Sequence, residues 1–301
     1  MHVSRIKQAA VAVATASLAT GAFAAPAGAI TGNYVEDFEH PFVGLVAFYD
    51  QEGEFTHRCS GSLVTPTVFL TAGHCTDEDT GAVTARVYFQ QDAGANYDPE
   101  TQTDPISGYP ETCADGTLGT LCATSDELYD YGFEDFAGFP NTHDAGIIIL
   151  DQAIELEEYG VLGVAGSLDD LALKSARQTV EFTASGYGLT KSSPVGVTSF
   201  RERLMASARL VNLTSALTSG FNLQTNGNGN GRGGTCSGDS GGPVFFGDQT
   251  SNTIVAVTSF GLNSYCRGVD FSYRVDTTDV ITWIASVTGA EFAKIQFTTL
   301  N

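Results

Sequence analysis

Gly233-Gly234-Thr235-Cys236-Ser237-Gly238-Asp239-Ser240-Gly241-Gly242-Pro243 places one serine inside a run of glycines. Glycine has no Cβ, so such a chain can enter positive-φ turns and bring its N–H groups against a reacting carbonyl. A serine held this way reads as a nucleophile. Taken by itself the stretch also fits a Gly-rich surface loop with an incidental serine, because short motifs have real false-positive rates. The rest of the chain decides between the two.

Upstream, Asn141-Thr142-His143-Asp144-Ala145-Gly146-Ile147-Ile148-Ile149-Leu150 sets an aspartate just ahead of a continuous apolar strand. A carboxylate buried there needs hydrogen-bond partners or an opposite charge, and an imidazole is a natural one. Further back, Val68-Phe69-Leu70-Thr71-Ala72-Gly73-His74-Cys75 is an apolar strand ending in small residues, a histidine and a cysteine. A nucleophile, a base that takes its proton and a group that steadies the resulting imidazolium are what acyl transfer to water requires. They occur in the order His74, Asp144, Ser240, which excludes the Asp–His–Ser and Ser–Asp–His layouts.

With 301 residues, 42% of them hydrophobic, the chain can fill one large β domain or two small ones. Its 34 glycines and many short Val, Thr, Phe and Tyr runs favour strands and turns over long helices, giving an all-β expectation. After Ile30-Thr31-Gly32-Asn33, strands are expected over residues 40–49, 55–64, 179–184, 201–212, 244–246, 254–260 and 271–275. A terminal helix is expected over 280–285, around Trp283. Residues 77–140 read mostly as insertion, with one strand over 83–90. Within it Asp126, Glu127, Asp130, Glu134 and Asp135 lack the spacing of a calcium loop and read as solvated, so no metal is expected. His57 reads as structural.

Arg5 and Lys7 precede an Ala-rich apolar run from Ala9 to Ala25 and a stretch of small residues, so residues 1–29 read as a secretory signal. The run is short and weakly apolar for a membrane anchor. The chain's net charge of −21 becomes more negative once those bases are removed, which disfavours nucleic acid as a partner. Six cysteines behind an export signal read as three disulfides, and their spacing suggests local pairs: Cys59 with Cys75, Cys113 with Cys122, Cys236 with Cys266.

Thr71-Ala72-Gly73-His74-Cys75, Asp144-Ala145-Gly146-Ile147 and Gly238-Asp239-Ser240-Gly241-Gly242-Pro243 together resemble the three signature segments of the chymotrypsin/trypsin family, the source of the general triad template. Ser185-Gly186-Tyr187-Gly188 and Ser259-Phe260-Gly261 resemble two further family segments. The resemblance implies two antiparallel six-stranded β-barrels, residues 30–165 (with an insertion near 91–140) and 166–301, plus a short C-terminal helix. It implies catalysis by His74, Asp144 and Ser240, an oxyanion hole from the Gly238 and Ser240 N–H groups, and substrate lined by Ser259, Phe260 and Gly261. Cys59–Cys75 and Cys236–Cys266 match family disulfides, whereas Cys113–Cys122 would be extra. Gly73, Tyr187, Phe260 and His143 depart from the commoner family residues without removing a catalytic group.

The expectation is a secreted, monomeric serine endopeptidase acting on polypeptides without a cofactor. A protease-fold binding protein is the alternative from another class, and an esterase shares the chemistry but not the chain order. The family also implies that an Ile30 amino terminus, exposed by processing, pairs with Asp239. Ala27-Gly28-Ala29 itself resembles a signal-peptidase site, so release in active form and a propeptide of a few residues both stay open. Where trypsin-like members carry a pocket aspartate this chain has Gly234. On the opposite wall the gap-free five-residue spacing to Val275 puts Asp270 in the pocket and favours Arg or Lys before the scissile bond; the competing alignment puts Gly268 there and favours large apolar residues.

Overall fold

The computed structural model describes residues 30–93, 121–173, 179–199, 201–227 and 232–300. Cys113 and the expected signal segment lie outside the described residues.

The first sheet is built on Val43–Tyr49, an apolar run buried at all seven positions, which pairs with Phe55–Leu63 on one side and Thr84–Tyr88 on the other. Phe55–Leu63 continues to Val68–Thr71 and then to Gly146–Ile149, all antiparallel. The ring closes through one bent stretch: Cys122–Ser125 pairs with Thr84–Tyr88, and Glu127–Asp130 pairs with Gly146–Ile149. At the bend Ser125 Oγ accepts the Glu127 N–H at 2.9 Å and donates to the Ile149 carbonyl at 2.6 Å. Glu127 and Asp130, expected in a solvated acidic loop, therefore lie in the closing strand of a barrel, with Asp126 at the bend before it. Side chains alternate along the strand, with Glu127 exposed and Leu128 packed against the core, which is the period-2 signal that the density of acids concealed.

The second barrel is a closed ring of Glu181–Gly186, Leu204–Asn212, Asn222–Asn226, Val269–Arg274, Thr253–Gly261 and Pro243–Phe246, the last pairing back to the first. Short strands at Val35–Glu36, Val161–Gly163 and Phe297–Thr298 add to this sheet, so it counts nine strands and the first counts seven around their six-strand rings. The helix Thr278–Thr288 begins where Thr277 Oγ1 accepts the Val280 N–H at 3.4 Å, and it buries Val280 and Ile284. Each barrel thus wraps an apolar cluster, one around Phe48, Phe69 and Ile148, the other around Phe182, Leu204 and Val255.

The segment before the first barrel straps onto the second. Ile30 is fully buried in the second core, and Thr31–Gly32 pairs with Gly233–Gly234. Asp37 and His40 are buried together: the carboxylate meets His40 Nδ1 at 2.9 and 3.0 Å, and His40 Nε2 meets the Ser251 carbonyl at 3.1 Å. Arg203 Nε donates to the Asp37 carbonyl at 3.0 Å, so first-barrel and second-barrel segments share one buried polar cluster.

Candidate active site

Val68–Thr71 ends in a single helical turn, Gly73–Thr76, which lifts His74 into the cleft with about a quarter of its side chain exposed. A Cβ on Gly73 would sit 3.1 Å from the carbonyls of His143 and Ala145, so the residue there must be small for the strand carrying Asp144 to approach. Asp144 is fully buried. Its carboxylate accepts the His74 backbone N–H at 2.8 Å, meets His74 Nδ1 at 3.0 Å from both oxygens, and accepts the Ser259 hydroxyl. Burial alone would raise the Asp144 carboxyl, but the imidazole beside it and the bonds from His74 and Ser259 hold it below the usual range. Burial likewise opposes charge on His74, and the Asp144 charge and bond outweigh it, moving the imidazole pKa up. With Nδ1–H directed at Asp144, Nε2 of the neutral ring is the free acceptor.

The serine loop is shaped by backbone that only glycine enters easily. Gly238 and Gly241 have φ of 96° and 78°, and a Cβ on Gly241 would lie 2.0 Å from Thr71 Oγ1. Ser60, from the first barrel, fastens this loop: its N–H donates to the Ser240 carbonyl and its Oγ to the Gly238 carbonyl, both at 2.8 Å. Ser60 is itself fixed, since its Oγ accepts the Tyr187 N–H at 2.9 Å and its carbonyl accepts Thr71 Oγ1 at 2.8 Å. The N–H groups of Gly238 and Ser240 donate to no protein group among the described residues. No hydrogen bond joins His74 to Ser240 here; bonds of this kind commonly tighten only with substrate in place.

Asp239 is fully buried and accepts the N–H groups of Gly188 at 2.8 Å and Cys236 at 2.9 Å. Burial pushes its carboxyl up to about 7, against the pull of those bonds and of Arg58. In this chain Ile30 carries a peptide amide rather than an ammonium, so it makes no ion pair with Asp239.

Beside Ser240 a cavity of about 340 Å³ is lined by Thr235, Ser259, Phe260, Gly261 and Asp270 among others. Asp270 is 6% exposed, accepts the Thr235 N–H at 2.9 Å, and is pushed up to about 6 by burial. Its strand register sets it opposite Gly261. Gly268, at φ 97°, is not part of the lining; nor is Gly234, which pairs with Thr31 and leaves its place on the wall to Thr235. Disulfides Cys59–Cys75 and Cys236–Cys266 brace the histidine and the cavity respectively, and Cys122 is disulfide-bonded. Among the described residues the one metal-like grouping is Cys59, His74 and Cys75, whose cysteines are bonded to each other and offer no thiolate.

Three features of the site go beyond the sequence expectations. Ser259 was expected only to line substrate, yet its hydroxyl completes the Asp144 cluster. Ser60 sits inside the strand Phe55–Leu63 with nothing in its neighbours to set it apart. Phe136 and Phe139 approach the Phe260 ring at 5.3 and 6.0 Å, and Phe133 stands 5.9 Å from His74, giving the cleft an aromatic rim. The recurrence of phenylalanine at 133, 136 and 139, just before His143-Asp144, was the available hint.

The family model described as Trypsin matches residues 30–121 and 137–284. The chain belongs to the trypsin family. As a trypsin-family chain it is a trypsin-like serine endopeptidase by descent, and polypeptides are its substrate class. Trypsin zeta of Drosophila erecta is 26% identical over 258 residues, covering 80% of each sequence. The CLIP domain-containing serine protease B10 of Anopheles gambiae is 29% identical over 166 residues, 54% of this chain; the match spans 42% of that mosquito protein. Among solved structures, HL collagenase superposes with a TM-score of 0.58 at 18% identity, covering 87% of this chain and all of that one. The protease Anisep from Arthrobacter nicotinovorans gives 0.55 at 16%, covering 85% of this chain and all of its own. These structural likenesses speak to the fold. Among the described residues no helix is long and apolar enough to cross a membrane.

Proposed function

We propose that this chain, once exported and trimmed to Ile30, is a monomeric extracellular endopeptidase that cleaves after Arg or Lys through Ser240, His74 and Asp144. The observation that carries the chemistry is the threefold hold on Asp144, which receives the ring and the amide of His74 and the hydroxyl of Ser259. In that hold His74 Nε2 takes the proton of Ser240 Oγ as the oxygen bonds to the scissile carbonyl carbon. Asp144 steadies the imidazolium, and the Gly238 and Ser240 N–H groups receive the carbonyl oxygen as its charge grows. His74 then gives the proton to the departing amine, and water, activated the same way, releases the acyl group from Ser240.

Asp270 supports the choice of a cationic side chain. It is a buried carboxylate in a cavity of about 340 Å³, with Thr235 as its described hydrogen-bond partner. Such a group favours a cation that enters with it. An organophosphonate probe tests the reading: the processed protein should be labelled at Ser240 and Ser240→Ala should not, while an intact, folded wild type that stays unlabelled would point to a binding protein instead.

A further inference from the structure

The triad and the cavity account for the acyl half of a substrate, and the opposite side of the scissile bond holds one conspicuous charge. Arg58 lies on Phe55–Leu63, one residue before Cys59, whose disulfide reaches Cys75 next to His74, and two before Ser60, which holds Gly238 and Ser240. Its Nε is 3.6 Å from the point a Cβ on Gly238 would occupy, and its Nη2 donates to Ser199 Oγ at 2.9 Å. The side chain is half-buried and takes no part in lining the cavity that holds Asp270. A peptide seated with its side chain in that cavity, its carbonyl on the Gly238 and Ser240 N–H groups and its preceding residues along Ser259–Gly261 has one way out. The residues after the scissile bond would then run toward groups near Gly238 that do not line the cavity, Arg58 among them.

We propose that Arg58 is a specificity-determining residue for the leaving half of the substrate, favouring an acidic side chain at the first or second position after the scissile bond. The proposal rests on the peptidase reading above. A guanidinium offers a carboxylate two parallel donors and cannot lose its charge at working pH. The chain's net charge of −21 repels acidic peptides at long range, so a cation fixed beside the oxyanion loop gives such residues a local attraction the rest of the surface does not. Asp239, whose charge Arg58 also feels, is fully buried and is held by the Gly188 and Cys236 amides.

The test uses the processed enzyme and peptides with the same acyl half and the same Arg before the scissile bond, varying only the two following residues among Asp, Ala and Lys. For wild type, kcat/KM should fall in the order Asp, Ala, Lys over roughly tenfold at low salt, as expected for a partly screened charge pair. The spread should shrink in about 0.5 M salt. Arg58→Gln should compress it to about twofold and Arg58→Lys should keep the order. Ratios are taken within one preparation, so a reduced folded fraction cancels, and if Arg58→Gln does not fold, the wild-type order and its salt dependence still decide. Equal rates in wild type, or an unchanged order in Arg58→Gln, overturn the proposal. Failure of wild type to cleave any of the peptides would overturn the peptidase reading itself.

Discussion

Replacing Asp270 with Asn keeps the side chain's shape and an acceptor for the Thr235 N–H while deleting the charge. Burial moves this carboxyl from 3.8 to about 6. At about 1.4 kcal/mol per unit, holding the ionised form costs the folded chain about 3 kcal/mol. The unfolded carboxyl ionises near 3.8 and the folded one near 6, so the folded chain keeps its proton longer, and stability falls as pH rises through that window. Asp270→Asn should therefore be more stable than wild type by about 3 kcal/mol at pH 8 and by close to nothing below about pH 4. Catalysis should move the other way. Losing the partner of a desolvated cation costs about 2–5 kcal/mol, a fall of roughly 30-fold to several thousandfold in kcat/KM for peptides with Arg before the scissile bond, with Leu peptides little affected. Urea unfolding at the two pH values and rates on matched Arg, Lys and Leu peptides measure both effects. An unchanged Arg-to-Leu ratio, or a stability gain that ignores pH, would refute the assignment.

On a Leu peptide, which makes no use of Asp270, activity should rise with pH in one step set by His74. Its midpoint should lie above 6.5, because Asp144 outweighs burial; a midpoint at or below that value contradicts the geometry. Gly241→Ala places a Cβ 2.0 Å from Thr71 Oγ1 on a backbone at φ 78°, so it should cost about 3 kcal/mol or more in a thermal melt, and a fully stable variant would contradict the packing. Asp239, held near 7 by burial, should make the unprocessed chain lose stability on the order of 4 kcal/mol between about pH 4 and 7. If the proposed pairing of an Ile30 ammonium with that carboxylate forms, a chain beginning at Ile30 should lose much less; amino-terminal sequencing of active protein at another residue removes the pairing.

The barrels could be anticipated because their strands are uniform apolar runs such as Val43–Tyr49 and because glycines mark the turns. The closing strand of the first barrel could not, since Asp126, Glu127 and Asp130 swamp a two-residue alternation in which Glu127 and Tyr129 are exposed and Leu128 and Asp130 are part-buried. At the site, His74, Asp144 and Ser240 stand in distinctive local contexts. Ser60 has none: it acts through a contact with Gly238 at a sequence separation of 178, and no local pattern encodes such a contact. Gly268 and Asp270 both fit the wall in the sequence, where only the gap-free spacing to Val275 favours Asp270; the cavity lining includes Asp270 and not Gly268.

Ser60 ties the history of the chain to its competence. The loop that bears Ser240 belongs to the second barrel, but two of the bonds that hold it come from a strand of the first. As the chain emerges from its amino-terminal end, the Phe55–Leu63 strand is complete long before residues 233–242 exist, so the late-arriving loop settles on a surface already made. On the proposed mechanism, competence then waits on the docking of the two halves.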